Sequence, residues 1–347
     1  MNKLKSRRKR GMAASGAVML LQGWEGIILT FFALIAFFAG VLTSPAFAAA
    51  SLFGKEIFTF IITVLVFGNK NLLKIYKKGF TLSGLKYGIA FILGSSIGGV
   101  FFILSIALAG PGLGTVLTAM YPVFTTIILR VFFKDKSNKK VLFGIFLTII
   151  GGGLFLLVPP LMDGEGFSSE KMLGMAFGAI TALFWSLEGV LISKVKKNSQ
   201  NWSNRELAVW KSTVSLLFIG IIIMPLGMIW ENSYNIFANI FSTWEAIVIT
   251  FALAINLITL RILFTYSIRN AGVKVTSVID TNNFLIGPIF SIILYSMFSL
   301  TYANDPSKQL FQPIVWWSWL MLIPILVGVI IVVLFSEEKT EIVEYEK

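Results

Sequence analysis

The chain contains no cysteine and no histidine in 347 residues. The first absence excludes disulfide frameworks and thiol nucleophiles, and the two together exclude most zinc sites. Without imidazole, no side chain titrates near neutral pH at its ordinary value, so any proton this protein moves must ride on a carboxylate. Charge is scarce as well, with Asp, Glu, Lys and Arg making up 13% of residues against 56% apolar. Acidic residues are the rarer kind, 17 against 29 basic, which leaves a net charge of +12. No cofactor and no metal is expected. Without His or Cys, an intramembrane enzyme would need carboxylate or Ser–Lys chemistry, and no motif has the spacing for it.

What is abundant is hydrophobic length. Mean hydropathy is +0.84, and apolar runs of about 20 residues, the length that crosses a bilayer, recur between short polar breaks. Ten spans are expected, at 12–37, 45–68, 84–107, 112–133, 140–158, 172–193, 206–230, 244–267, 273–299 and 313–335. The basic residues then fall almost entirely on one side: the tract Lys3 to Arg10, Lys70 to Lys78, Lys134 to Lys140, Lys194 to Lys197, then Arg269 and Lys274. The opposite loops hold only Lys171 and Lys308, with Asp163, Glu165, Glu170, Glu231 and Asp305. The positive-inside rule therefore puts both termini in the cytoplasm. Basic loops of this kind suit a bacterial plasma membrane. The positive charge is spread over loops with no aromatic interleaving, so it marks topology and no nucleic acid partner is expected. The tract Lys3 to Arg10 is suited to anionic lipid. That tract, the apolar run after it and Ala46-Phe47-Ala48 together imitate a cleaved secretory signal. The apolar run is about twice the usual length for such a signal and contains Glu25, which argues against cleavage.

The second half repeats the first. Ser105-Ile106-Ala107-Leu108-Ala109-Gly110 returns as Ser267-Ile268-Arg269-Asn270-Ala271-Gly272, an offset of 267 − 105 = 162. In the same order, Glu25-Gly26 matches Glu188-Gly189, Lys55 matches Lys211, and Pro122-Val123-Phe124 matches Pro288-Ile289-Phe290. A duplication with an odd number of spans per half turns the second half upside down in the bilayer. The expected fold is thus an all-α polytopic membrane protein with two inverted five-helix repeats, 12–158 and 172–335, and cytoplasmic tails at 1–11 and 336–347. Inverted repeats allow alternating access, the mechanism of a secondary transporter. The bland alternative is a duplication that only built a stable bundle.

The five-plus-five layout, the Ala109 to Phe124 tract opening the fourth span, Gly151-Gly152-Gly153 in the fifth and Ala182-Leu183-Phe184-Trp185 in the sixth resemble one group of proteins. These are the ten-helix, EamA-like members of the drug/metabolite transporter superfamily. The resemblance implies a central cavity formed mainly by spans 1, 3, 4, 6, 8 and 9, with spans 5 and 10 at the periphery. The stretch Trp185-Ser186-Leu187-Glu188-Gly189-Val190 looks like the bacterial choline-uptake branch, in which a sixth-span glutamate and neighbouring aromatics hold the trimethylammonium group.

Charges inside the spans carry the functional information, because each costs about 2.5–3.5 kcal/mol to insert. They are Glu25, Lys55, Glu56, Glu188, Lys211, Arg261 and Asp280. On a helix, Trp185, Phe184 and Thr181 share a face with Glu188. A carboxylate framed by rings suits an organic cation, with cation–π attraction worth about 2 kcal/mol when desolvated. Trp24 and Glu25 form a related pair in the other half. The alternative is a Glu188–Lys211 ion pair beside a packing tryptophan. Lys55, Lys211 and Arg261 are candidates for charge pairing or coupling. In the ninth span Thr276, Asp280, Asn283 and Gly287 fall on one face and read as cavity lining or as an interhelical seam, and Tyr121 is placed to line the cavity from the first half.

The expected function is a transporter that moves a small choline-like cation by alternating access. Protonation of Glu188, Glu25 or Asp280 offers a route to proton coupling, since burial favours the neutral acid and a bound cation the carboxylate. An exporter of amino acids or other metabolites is the alternative, with Lys55, Lys211 or Arg261 taking a zwitterion's carboxylate. A receptor or scaffold would bind solute without flux.

Overall fold

The computed structural model describes residues 2–38, 45–68, 72–134, 138–162, 168–195, 202–281 and 318–335, and among them every regular element is helical, with no strand. The first helices are α1 (Asn2–Phe38), α2 (Pro45–Phe67), α3 (Leu72–Gly79) and α4 (Leu82–Phe91). A π-helical stretch, Ile92–Gly98, leads from α4 into α5 (Gly99–Val116), and a 3₁₀ turn, Leu117–Met120, leads into α6 (Tyr121–Phe133). Then come α7 (Lys139–Met162), α8 (Ser169–Val195) and α9 (Asn204–Phe218). A second π-helical stretch, Ile219–Ile223, joins α9 to α10 (Met224–Glu231). The remaining helices are α11 (Ser233–Ile240), α12 (Trp244–Ala271), α13 (Val273–Thr281) and α14 (Ser318–Phe335).

Among the described residues, five helical stretches are long and apolar enough to cross a membrane: Pro45–Phe67, Leu82–Ala109, Ser169–Val195, Asn204–Ile229 and Trp244–Ala271. Each turns large apolar side chains outward, among them Leu65, Ile89, Met172, Ile221 and Phe251, while Lys55, Glu56, Glu188, Lys211 and Arg261 are buried. Outward apolar and inward charged is the distribution that lipid, not water, selects.

The chain's punctuation is local chemistry. Thr81 caps α4 by accepting from the Gly84 N–H at 3.3 Å. Ser203 and Glu206 form a capping box on α9, the Glu206 N–H donating to Ser203 Oγ at 3.1 Å and the Ser203 N–H to Glu206 Oε2 at 2.7 Å. Lys134 (φ 52°) and Asn232 (φ 56°) end α6 and α10 in the left-handed region, and Gly272 (φ 89°) separates α12 from α13.

The boundary expected at residues 108–111 takes an unexpected form. Helical turns continue from Gly99 to Val116, yet a Cβ on Gly114 would meet the Ser105 carbonyl and lie 3.0 Å from the Ile106 nitrogen. Residues eight apart on a straight helix are separated by about 12 Å. The chain therefore bends back on itself between Ile106 and Gly114, with helical turns on both sides of the bend. Two short helices, α3 and α11, fill segments expected to be loops. The remainder of the ninth span, beyond Thr281, lies outside the described residues.

Packing follows three principal pairs, α1 on α12, α5 on α8 and α7 on α14, while α2 rests on both α9 and α12. The α7–α14 contact is backbone-close, since a Cβ on Gly144 would stand 2.6 Å from the Gly328 oxygen. In an apolar medium such close approach is what holds helices together.

Candidate functional site

Three acidic and three basic side chains meet in the interior, each nine-tenths or more buried. From α2, Lys55 Nζ donates to Glu25 Oε1 of α1 at 2.9 Å. The next residue, Glu56, accepts at Oε1 from Arg261 Nη2 of α12 at 2.5 Å. From α9, Lys211 Nζ donates to Glu188 Oε1 of α8. The Arg261 guanidinium also donates from Nη1 to Ser212 Oγ at 2.8 Å, which ties α12 to α9. Every charge in this group has a partner of opposite sign, and the group as a whole is neutral. Pairing is what makes burial of so many charges affordable.

These pairs border a cavity of about 60 Å³, room for a few water molecules. Its other walls are aromatic and small: Phe102 of α5, Tyr121 of α6, Trp185 of α8, Phe264 of α12, and Ser95 and Gly99 of the helix opposite α8. The Lys211 ammonium lies 5.4 Å from the Phe91 ring centroid and 5.8 Å from that of Phe264. It therefore rests in a cage of one carboxylate and two rings, the environment that recognises an alkylammonium. The wall opposite Glu188 is the π-helical stretch, where Gly94 is obligatory: a Cβ there would fall on the Glu188 carboxylate. Gly98 gives the same clearance to Trp185, whose Cδ1 would stand 3.2 Å from a Cβ at that position.

Most residues marked by sequence converge here. Glu25, Lys55, Tyr121, Trp185, Glu188, Lys211 and Arg261 all border the cavity. Trp24 does not; it is 48% exposed on the outer face of α1, one residue and about 100° of helix away from buried Glu25. Asp280 is buried but is not among the cavity's bordering residues, and Asn283 lies outside the described residues. Phe184 is not among the bordering residues and stacks on Phe101 at 6.0 Å between centroids. The helices implied to surround the cavity are joined by α2 and α9, which carry Lys55, Glu56 and Lys211.

Sequence reading missed Gln22, Ser95, Phe91, Phe102 and Phe264. Gln22 and Phe264 are three residues from Glu25 and Arg261 on their own helices, so the (i, i+3) rule applied to each charge would have found them. Phe91 and Ser95 carry no such signal, because the helix changes type there, Phe91 ending α4 and Ser95 lying within the π-helical stretch.

No family model matches the chain, and no curated protein matches it. Among solved structures 16 chains match. One of them, described as "Crystal structure of protein", aligns with a TM-score of 0.53 at 14% identity, covering 95% of this chain and 99% of that one. At that identity the likeness is one of fold alone. The class defined here is a protein whose regular elements, among the described residues, are all helical, with helices able to span a membrane and a neutral, charge-lined cavity between them.

Proposed function

We propose that this protein is a secondary transporter of a small organic cation of the choline type, working by alternating access from the buried cavity. The observation that carries this is the Lys211 ammonium held by Glu188 between Phe91 and Phe264. The protein has built a site for an alkylammonium and, in this conformation, fills it with its own lysine. An incoming cation takes Glu188 by displacing Lys211, and the small cavity enlarges as that side chain withdraws.

The arrangement of ten spans as two inverted five-helix repeats, 12–158 and 172–335, belongs to the same proposal. It is supported by the pairing itself. Sequence matches Glu25 with Glu188 and Lys55 with Lys211, and the corresponding pairs are Lys55–Glu25 and Lys211–Glu188. Helix packing has the same symmetry: α1 on α12 corresponds to α8 on α5 when the halves are exchanged. The EamA-like resemblance, a plasma-membrane location and cytoplasmic termini complete the proposal.

A second reading is favoured by one observation, the neutrality of the cavity. A zwitterion would take Glu188 with its amine and Lys211 or Arg261 with its carboxylate, leaving every charge paired. Counterflow of labelled choline and of a labelled amino-acid panel in proteoliposomes separates the two. Choline exchange abolished by Glu188→Gln is the expected result. Exchange of amino acids without choline selects the zwitterion, binding without flux selects a receptor, and a chemically altered solute selects an enzyme.

A further inference from the structure

Outside the cavity, one carboxylate has no role in the solute site. Asp280 of α13 is 1% exposed, and among the described residues neither of its oxygens has a hydrogen-bond partner. Two hydroxyls of α6, the helix packed on α13, are also buried without partners: Tyr121 Oη and Thr125 Oγ1. The Tyr121 hydroxyl lies over Gly189, where a Cβ would be 2.9 Å from Tyr121 Oη and 2.9 Å from Val273 Cγ2. This puts Tyr121, which borders the cavity, at the junction of α6, α8 and α13, the helix that carries Asp280.

The charges on elements packed against α13 are already engaged or distant along the chain. On α1, Glu25 is held by Lys55, and the basic tract Lys3 to Arg10 occupies the opening turns. On α8, Glu188 is held by Lys211, while Glu170, Lys171 and Lys194 stand at its ends. On α12, Arg261 is held by Glu56 and Ser212, Arg269 by Asn204 and the Trp202 carbonyl, with Glu245 at the start and Tyr266 in the last turns. On α6 the titratable groups are Tyr121 and Arg130, and α13 itself adds Lys274 in its first turn. The 3₁₀ turn and α14 carry none. None of these cations reaches Asp280. A carboxylate so placed is too costly to keep ionised without a counter-ion, and among the described residues no group of three or more acidic side chains stands together to hold a metal ion.

We propose that Asp280 is the proton-carrying group of this transporter, holding one proton on its carboxyl in this conformation and releasing it to water when α13 parts from α6. Tyr121, touching both regions, couples that release to occupancy of Glu188. The inference rests on the transport reading above, and its test is arranged so that the two fail separately. Infrared difference spectra of the protein in lipid, recorded between neutral and alkaline pH, should show a carboxylic acid carbonyl band that is lost in Asp280→Asn and kept in Glu188→Gln. Asp280→Glu should retain the band at a shifted frequency, which guards against a misfolded amide variant. Absence of the band from wild type, its survival in Asp280→Asn, or its replacement by a sodium-dependent carboxylate signal overturns the proposal. In proteoliposomes, an imposed pH gradient should raise choline uptake several-fold in wild type, and the ratio of uptake with and without the gradient should fall to about one in Asp280→Asn. A ratio that stays high overturns it too. Choline flux missing from wild type would instead remove the transport reading, leaving the infrared result to decide the proton site.

Discussion

Neutralising Glu188 alone should harm the protein more than removing both members of its pair. In Glu188→Gln, Lys211 keeps its ammonium in a site where it is 6% exposed, with the Arg261 guanidinium as a repelling neighbour. The rings of Phe91 and Phe264 remain, at 5.4 and 5.8 Å, but they offset only a small part of the loss. Leaving one partner of a buried ion pair uncompensated costs about 3–5 kcal/mol, whereas replacing both by groups of similar volume is neutral or stabilising. Glu188→Gln and Lys211→Met should therefore each lower unfolding stability by about 3 kcal/mol, and the double variant should come within about 1 kcal/mol of wild type. The assay is thermal or denaturant unfolding of all four proteins in one detergent, with retention on size-exclusion chromatography as a check of fold. Additive losses, in which the double variant is as unstable as the two singles together, would refute the pairing. The same cycle has a functional arm. Lys211→Met vacates the cage while leaving the carboxylate, so it should bind choline more tightly than wild type by at least tenfold, and weaker binding would show that Lys211 belongs to the solute site rather than blocking it.

The first half should repeat this behaviour: Lys55→Met and Glu25→Gln each destabilise by about 3 kcal/mol and together by much less, measured in the same unfolding series. Gly94→Ala puts a methyl group on the Glu188 carboxylate and should cost about 1–3 kcal/mol through overpacking, with choline binding lost in the folded fraction. Gly272→Ala strains a backbone held at φ 89° and ψ 156°, at a cost of about 1–3 kcal/mol in a melting experiment. Ser203→Ala removes one half of the α9 capping box and should cost about 1 kcal/mol, visible as a small fall in unfolding midpoint with no change in solute affinity.

Sequence and structure agree where the physics is one-dimensional. Glu25, Lys55, Glu188, Lys211 and Arg261 can be singled out from sequence because a charge in an apolar span must turn inward, whatever the neighbouring helices do. Which charges pair is a matter of three dimensions, and the two Lys–Glu combinations that align in sequence, Lys55–Glu25 and Lys211–Glu188, both form contacts. The Glu56–Arg261 pair has no such guide, its members being 205 residues apart. Trp24 shows the opposite failure. Adjacency to Glu25 suggested a shared site, but consecutive residues on a helix point about 100° apart, and the tryptophan faces outward. The bend between Ile106 and Gly114 could be expected as a boundary, since Gly and Pro mark it. Its retention of helical turns could not, because that depends on α8 lying alongside, with Gly174 against Ala109 and Gly178 against Gly114.

The π-helical stretch at Ile92–Gly98 sets the phase of everything after it. An i→i+5 turn takes in one more residue than an α-turn, so the helix beyond Gly98 is rotated relative to the one it would have continued. With α-turns throughout, Gly99 and Phe102 would turn together, by about 100° relative to Phe91 and the residues before it. The widened turns thus act as a register shift written into the backbone. Restoring α-turns with every residue kept would swing the rest of the helix through about a quarter turn and present Glu188 with different neighbours, whereas deleting a single residue between 92 and 98 would remove the excess and leave that phase intact. The extra residue, and not any one side chain, decides which surface the first half of the protein offers to the second.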